Sequence, residues 1–91
     1  MKIGIFGYGH LGKIHRKCLN QTPFEIAGIY DPKYITLQQI DGIEIYADED
    51  ALMDDCDVCL IASTTSAHYQ TAINALNRKK HFFVEKPTKY P

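Results

Sequence analysis

Lys2-Ile3-Gly4-Ile5-Phe6-Gly7-Tyr8-Gly9-His10-Leu11-Gly12 is the stretch that decides the fold. A short, mostly apolar run stops at Gly7. Beyond it, Leu11, Ile14 and Cys18 recur at spacings of three and four, the period of a helix. The stretch predicts a strand, a tight turn and a helix in direct succession. Gly7, Gly9 and Gly12 stand on that turn at the spacing G-x-G-x-x-G. The first permits the turn, the second lets backbone approach a ligand, and the third lets the helix close on the strand. A loop of this kind, opening a helix, aims backbone amides at a pyrophosphate, so Gly7, Tyr8, Gly9, His10, Leu11 and Gly12 are candidate dinucleotide-binding residues.

The chain on either side of the loop follows the same alternation. Pro23 closes the first helical region, and Phe24 to Tyr30 reads as a second strand that Asp31-Pro32 stops. Asp31 lies 24 positions after Gly7, where a carboxylate at the end of the second strand can accept hydrogen bonds from an adenosine ribose. Its plainer role is that of a turn residue before Pro32. An acid there repels a 2'-phosphate and favours NAD over NADP. Lys33, two residues on, works against that preference and leaves NADP possible.

Lys33 to Ile40 has a weak helical pattern, Ile43 to Ala47 reads as a third strand, and Asp48 as the cap of a brief helix through Met53. Asp57 to Ala62 is a nearly continuous apolar run, as a central parallel strand requires. Thr65 or Ser66 can cap the next helix. Tyr69, Ala72, Ile73 and Leu76 would form its apolar face, Arg78, Lys79 and Lys80 would complement its C-terminal dipole, and His81 to Val84 would form a fifth strand. Strands alternating with helices predict an α/β fold: a three-layer Rossmann-type sandwich with a parallel sheet in the order 3-2-1-4-5, occupying residues 1–91.

Composition narrows the partners. The chain has 91 residues, 45% of them hydrophobic, which is enough for one small core. Ten Lys and Arg against eleven Asp and Glu leave a formal charge of -1, so nucleic acid is not an expected partner. The longest apolar run, Val58 to Ala62, is far short of the roughly 20 residues a membrane span needs. No signal-peptide pattern opens the chain, and the expected location is cytoplasmic. Three cysteines in apolar or helical surroundings do not suggest a disulfide framework. Cys56-x-x-Cys59 supplies only two ligands and reads as core packing. No spacing among His10, His15 and His81 matches a metal site, so no metal is expected.

The segment from Asp57 through Pro87 resembles the glucose-fructose oxidoreductase, inositol dehydrogenase and MocA family of NAD(P)-dependent oxidoreductases. The resemblance covers essentially the whole chain. Its marks are the glycine loop, DVCLIASTTSAH ending at His68, and HFFVEKP with Glu85-Lys86-Pro87. It implies that Ala62, Ser63 and Thr64 line the cofactor site. His68 follows on the next helix, either in contact with the cofactor or as a capping and packing residue. Where the family often has proline, this chain has Thr64. The resemblance also places Lys86 near the nicotinamide and the substrate hydroxyl, as the catalytic residue of the set. Glu85 lies beside it, and Pro87 turns the chain, through a cis bond in one form of the expectation. Without the resemblance, Glu85 and Lys86 read as a solvated charged pair at a strand end.

The family continues into a substrate domain, so the resemblance implies an incomplete cofactor domain that binds the dinucleotide without turnover. A sugar, polyol or similar secondary alcohol would be the substrate of the longer protein. His81-Phe82-Phe83-Val84 at a bare sheet edge would favour a homo-oligomer. Two alternatives belong to other classes. One is a non-catalytic module that senses NAD; the other is a methyltransferase that binds S-adenosylmethionine, against which Glu85-Lys86-Pro87 argues.

Overall fold

The computed structural model describes residues 1–19, 21–62 and 65–84. The expected succession of strand, turn and helix opens it, with β1 at Lys2–Phe6 and α1 at His10–Leu19. β2 (Glu25–Tyr30) follows, then a 3-10 turn at Pro32–Tyr34 and a two-stranded hairpin of β3 (Gln39–Ile40) and β4 (Ile43–Glu44). α2 (Glu49–Asp55), β5 (Val58–Ile61), α3 (Thr65–Asn77) and β6 (His81–Val84) complete the described elements. The four long strands form a parallel sheet in the order β2-β1-β5-β6. From β1 the chain moves outward one way, to β2, and from β5 the other way, to β6. The C-terminal ends of β1 and β5 therefore flank the switch point at which open parallel sheets bind ligands.

The strand expected third occupies its expected place beside β2, but as a single bridge rather than a ladder. Ile45 pairs with Ile29 in parallel, and Tyr46 N–H donates to the Ile29 carbonyl at 2.8 Å. The residues before it are spent on the hairpin. Asp41 and Gly42 turn that hairpin with φ of 53° and 78°, the left-handed pair a two-residue hairpin turn demands. The helix expected over Lys33–Ile40 is absent. Asp31 instead caps the 3-10 turn, its carboxylate accepting from Lys33 N–H, and Gln39 and Ile40 go into the hairpin.

β1 alternates. Phe6 packs with Leu52, Met53, Cys56, Cys59, Ile61 and Ala75 under α2 and α3. Gly4 lies against Leu52 and Cys56, where an added Cβ would meet side chains at 3.0–3.1 Å. Ile5 points the other way, into a cluster with Tyr8, Ile29 and Ile45 that the hairpin covers. α1 joins that face through Lys13, whose ammonium lies 5.9 Å above the Tyr8 ring, and Arg16, which donates to the Asp41 carbonyl at 3.0 Å. Cys56 and Cys59 are both buried with their sulfurs 3.9 Å apart, as core packing requires.

α3 presents a different face from the one its apolar spacing suggests. Ala75 and Thr71 are buried and Ala72 packs on the core, while Tyr69 and Leu76 are 70% and 65% exposed. Small side chains let the helix approach the strands, and the large apolar ones lie on its outer flank. α2 and α3 are tied by polar groups: Arg78 pairs with Asp50 at 3.2 Å and with Asp54, and Asn74 bonds to Asp50 and Glu49. No helix among the described residues is long and apolar enough to cross a membrane, and no cluster of His, Cys, Asp or Glu among them could hold a metal ion.

Candidate dinucleotide site

A cleft of about 490 Å³ opens at the switch point. Phe6 and Gly7 from the end of β1, Tyr30 and Asp31 from the end of β2 and Ala62 after β5 form its floor. Among the described residues, Gly9, Pro32, Lys33, Glu49, Gln70 and Thr71 also line it.

Each glycine of the loop answers a separate demand. Gly7 has φ of 101°, which L side chains rarely adopt, and its N–H donates to the Tyr30 carbonyl at 2.8 Å. A Cβ on Gly12 would lie 2.5 Å from the Gly7 carbonyl oxygen, so this position holds α1 against the turn. Gly9 has neither constraint: a Cβ there would meet nothing within 4 Å, and the residue faces the cleft. The protein itself does not need a glycine at position 9, whereas a phosphate lying against the backbone does. The site thus fits the group expected there.

Asp31 anchors the loop. Its Oδ2 accepts from Tyr8 N–H at 2.7 Å and its Oδ1 from Lys33 N–H at 3.0 Å. Each oxygen keeps a lone pair for a further donor, so the turn role and the ribose role are compatible. Ala62 lines the cleft and its N–H donates to the Phe6 carbonyl at 2.8 Å. Tyr8, expected among the binding residues, sends its side chain away from the cleft and is fully buried. Its hydroxyl donates to Asp41 Oδ2 at 2.6 Å, and its ring meets Tyr34 edge to face at 6.5 Å. Burial, with the Asp41 carboxylate next, pushes the Tyr8 hydroxyl up to about 12.

His10 and Leu11 open α1 and His68 lies in α3, but their side chains lie outside the described residues. So do Ser63, Thr64, Glu85, Lys86 and Pro87 altogether. The sequence reading passed over Glu49, Gln70 and Thr71. Glu49 Oε1 accepts from the Thr71 hydroxyl at 2.8 Å and Oε2 from Asn74 Nδ2 at 3.0 Å. No local pattern marks these residues, since 22 and 25 positions separate Glu49 from its partners. Burial and then the Glu49 charge raise the Tyr30 hydroxyl above its ordinary value.

This sheet, switch-point cleft and glycine loop define a Rossmann-type domain. Residues 1–90 match the sequence profile of the GFO_IDH_MocA family, described as an oxidoreductase family with an NAD-binding Rossmann fold. The chain is 31% identical to the myo-inositol 2-dehydrogenase of Thermotoga maritima, over 96% of its own length and 28% of the relative's. It is 30% identical to the glucose-6-phosphate 3-dehydrogenase of Bacillus subtilis, over 94% of its length and 26% of the relative's. The solved UDP-N-acetylglucosamine 3-dehydrogenase of Acidithiobacillus ferrooxidans superposes with a TM-score of 0.80 at 25% identity, covering 92% of this chain and 28% of the other. The chain belongs to the glucose-fructose oxidoreductase, inositol dehydrogenase and MocA family. It spans between 26% and 28% of the length of these relatives.

Proposed function

We propose that this chain is the part of a dehydrogenase that holds NAD, in a protein that moves a hydride between that cofactor and a secondary alcohol of a sugar or polyol. The observation that carries the reading is Gly9, left open beside the switch point where the fold makes no demand of its own. The amides at the start of α1 bind the pyrophosphate, and Asp31 accepts the adenosine ribose hydroxyls. The nicotinamide supplies the hydride chemistry when it is bound. Among the described lining residues, two carboxylates, Asp31 and Glu49, stand against one cation, Lys33, which supports NAD over NADP. The family resemblance supports Lys86 as the cation beside the substrate hydroxyl, where it would favour the alkoxide that develops as hydride leaves.

Calorimetric titration of the chain with NAD and NADP tests this reading. Saturable binding of NAD, weaker binding of NADP, and loss of both in Gly9→Val at an unchanged melting temperature are expected. A Gly9→Val chain that binds NAD like the wild type would overturn it.

A further inference from the structure

The proposed function fixes two points of the ligand: pyrophosphate at Gly7 and Gly9, ribose at Asp31. The base is then left to the other described lining residues beyond Asp31, among them Pro32, Glu49, Gln70 and Thr71. The faces of Phe6, Tyr30, Pro32 and Ala62 offer apolar contact to a flat ring but no means of telling one purine from another. Glu49 does. Its carboxylate is only half-exposed, it accepts and cannot donate, and the Thr71 hydroxyl and Asn74 amide fix it from both sides. Each oxygen holds one protein donor and keeps room for another. A carboxylate held this way, in a wall that includes Asp31, suits a partner that brings N–H groups and disfavours one that brings a carbonyl oxygen.

We infer that Glu49 reads the base of the dinucleotide, its carboxylate accepting the exocyclic 6-amino group of adenine. Glu49 is then a specificity-determining residue of the site, and the inference rests on the dinucleotide reading above. A base with a carbonyl at position 6 places an acceptor where the 6-amino group would donate, and its N1–H, one position away, cannot take the same place without a shift of the ring, so the pairing is weakened.

The probes are NAD and its hypoxanthine analogue, in which a 6-carbonyl replaces the 6-amino group and N1 carries a proton. Both are titrated calorimetrically into the wild type and Glu49→Gln, with the melting temperature of each protein recorded. The wild type is expected to bind NAD at least about tenfold more tightly than the analogue. In Glu49→Gln the side-chain carbonyl still accepts from Thr71 or Asn74, while the amide can donate to the analogue's carbonyl. The preference is therefore expected to fall to about one or to invert, a change that a merely structural tie between α2 and α3 would not produce. Equal binding of both probes by the wild type would overturn the inference, as would a wild-type ratio retained in the variant. Binding of neither probe by a folded wild-type chain would overturn the dinucleotide reading itself.

Discussion

The two faces of the parallel sheet are packed by different chemistry. Under α2 and α3 lie Phe6, Leu52, Met53, Cys56, Cys59, Ile61 and Ala75, a cluster without a charged member in which the Cys59 sulfur meets those of Cys56 and Met53. Under the hairpin lie Ile5, Ile29, Ile45 and Tyr8, and the largest of these comes from the glycine loop itself. On the first face, packing and ligand binding meet only where β1 ends: Phe6 belongs to the cluster and lines the cleft, whereas Leu52, Met53, Cys56, Cys59, Ile61 and Ala75 are not among the described lining residues. On the second they share a residue: the ring of Tyr8 fills the core while its N–H meets Asp31 at the edge of the cleft. The fold can absorb a change at a first-face residue away from the cleft, such as Leu52, as lost stability alone. A change at Tyr8 must also reach the site.

Leu52→Ala is the largest expected effect. The side chain is fully buried against Gly4 and Phe6, and truncation removes its transfer free energy and leaves a cavity, at a cost of about 2–5 kcal/mol. In a chain this small that approaches the whole stability, so denaturant unfolding should begin at far lower concentration. NAD affinity measured where the variant is still folded should stay within about twofold of wild type. A tenfold loss of affinity in the folded variant would mean that the two faces are not separable.

Tyr8→Phe tests the other face and should cost less. The ring remains, and only its hydroxyl bond to the exposed Asp41 is lost, worth about 1 kcal/mol because water can replace it. The loop keeps its Asp31 anchor but loses the tie to the hairpin, so the NAD dissociation constant should rise a few-fold. Asp41→Asn should reproduce the effect in part. An unchanged affinity in Tyr8→Phe would show that the ring is a core residue with no bearing on the loop.

These contrasts also show what could be read along the chain. The glycine loop, the acid ending β2 and the parallel strands were legible because each rests on residues close in sequence, and their order carries the topology. Tyr8 was placed on the loop but its side chain was given no direction, since the G-x-G spacing says nothing of where the intervening ring goes. Asp41-Gly42 is a hairpin signal in plain view between Ile40 and Ile43. The helical spacing of Lys33 to Ile40 competed with it, and the turn won because Asp31 and Pro32 commit the preceding residues to a 3-10 turn. In α3, size misled. The sheet takes Ala72, Ala75 and Thr71 because close approach needs small side chains, and it leaves Tyr69 and Leu76 outside. Glu49 was invisible for a different reason: its partners come from α3, and only folding brings them together.

The last expected effect is confined to alkaline pH, and each face contributes at least one tyrosine to it. Burial, then the hydrogen bond to Asp41, hold the Tyr8 hydroxyl at about 12. The hydrogen bond to Asp55 at 2.7 Å, then burial, do the same for Tyr46, which packs on the opposite face. Both values stand above the ordinary tyrosine value of 10.0. The folded chain therefore keeps protons that the unfolded chain has begun to release. The stabilisation is complete below pH 10 and declines as pH rises toward 12, where the folded hydroxyls also ionise. Denaturant midpoints measured at intervals across that window should fall steadily. Tyr8→Phe and Tyr46→Phe should each remove part of the slope, and the double variant should remove most of it, since the two hydroxyls lie on opposite faces without a shared partner. If Tyr46→Phe alone flattened the curve, Tyr8 would have to ionise as readily folded as unfolded, and its hydroxyl could not be held by burial and Asp41 as the structure has it.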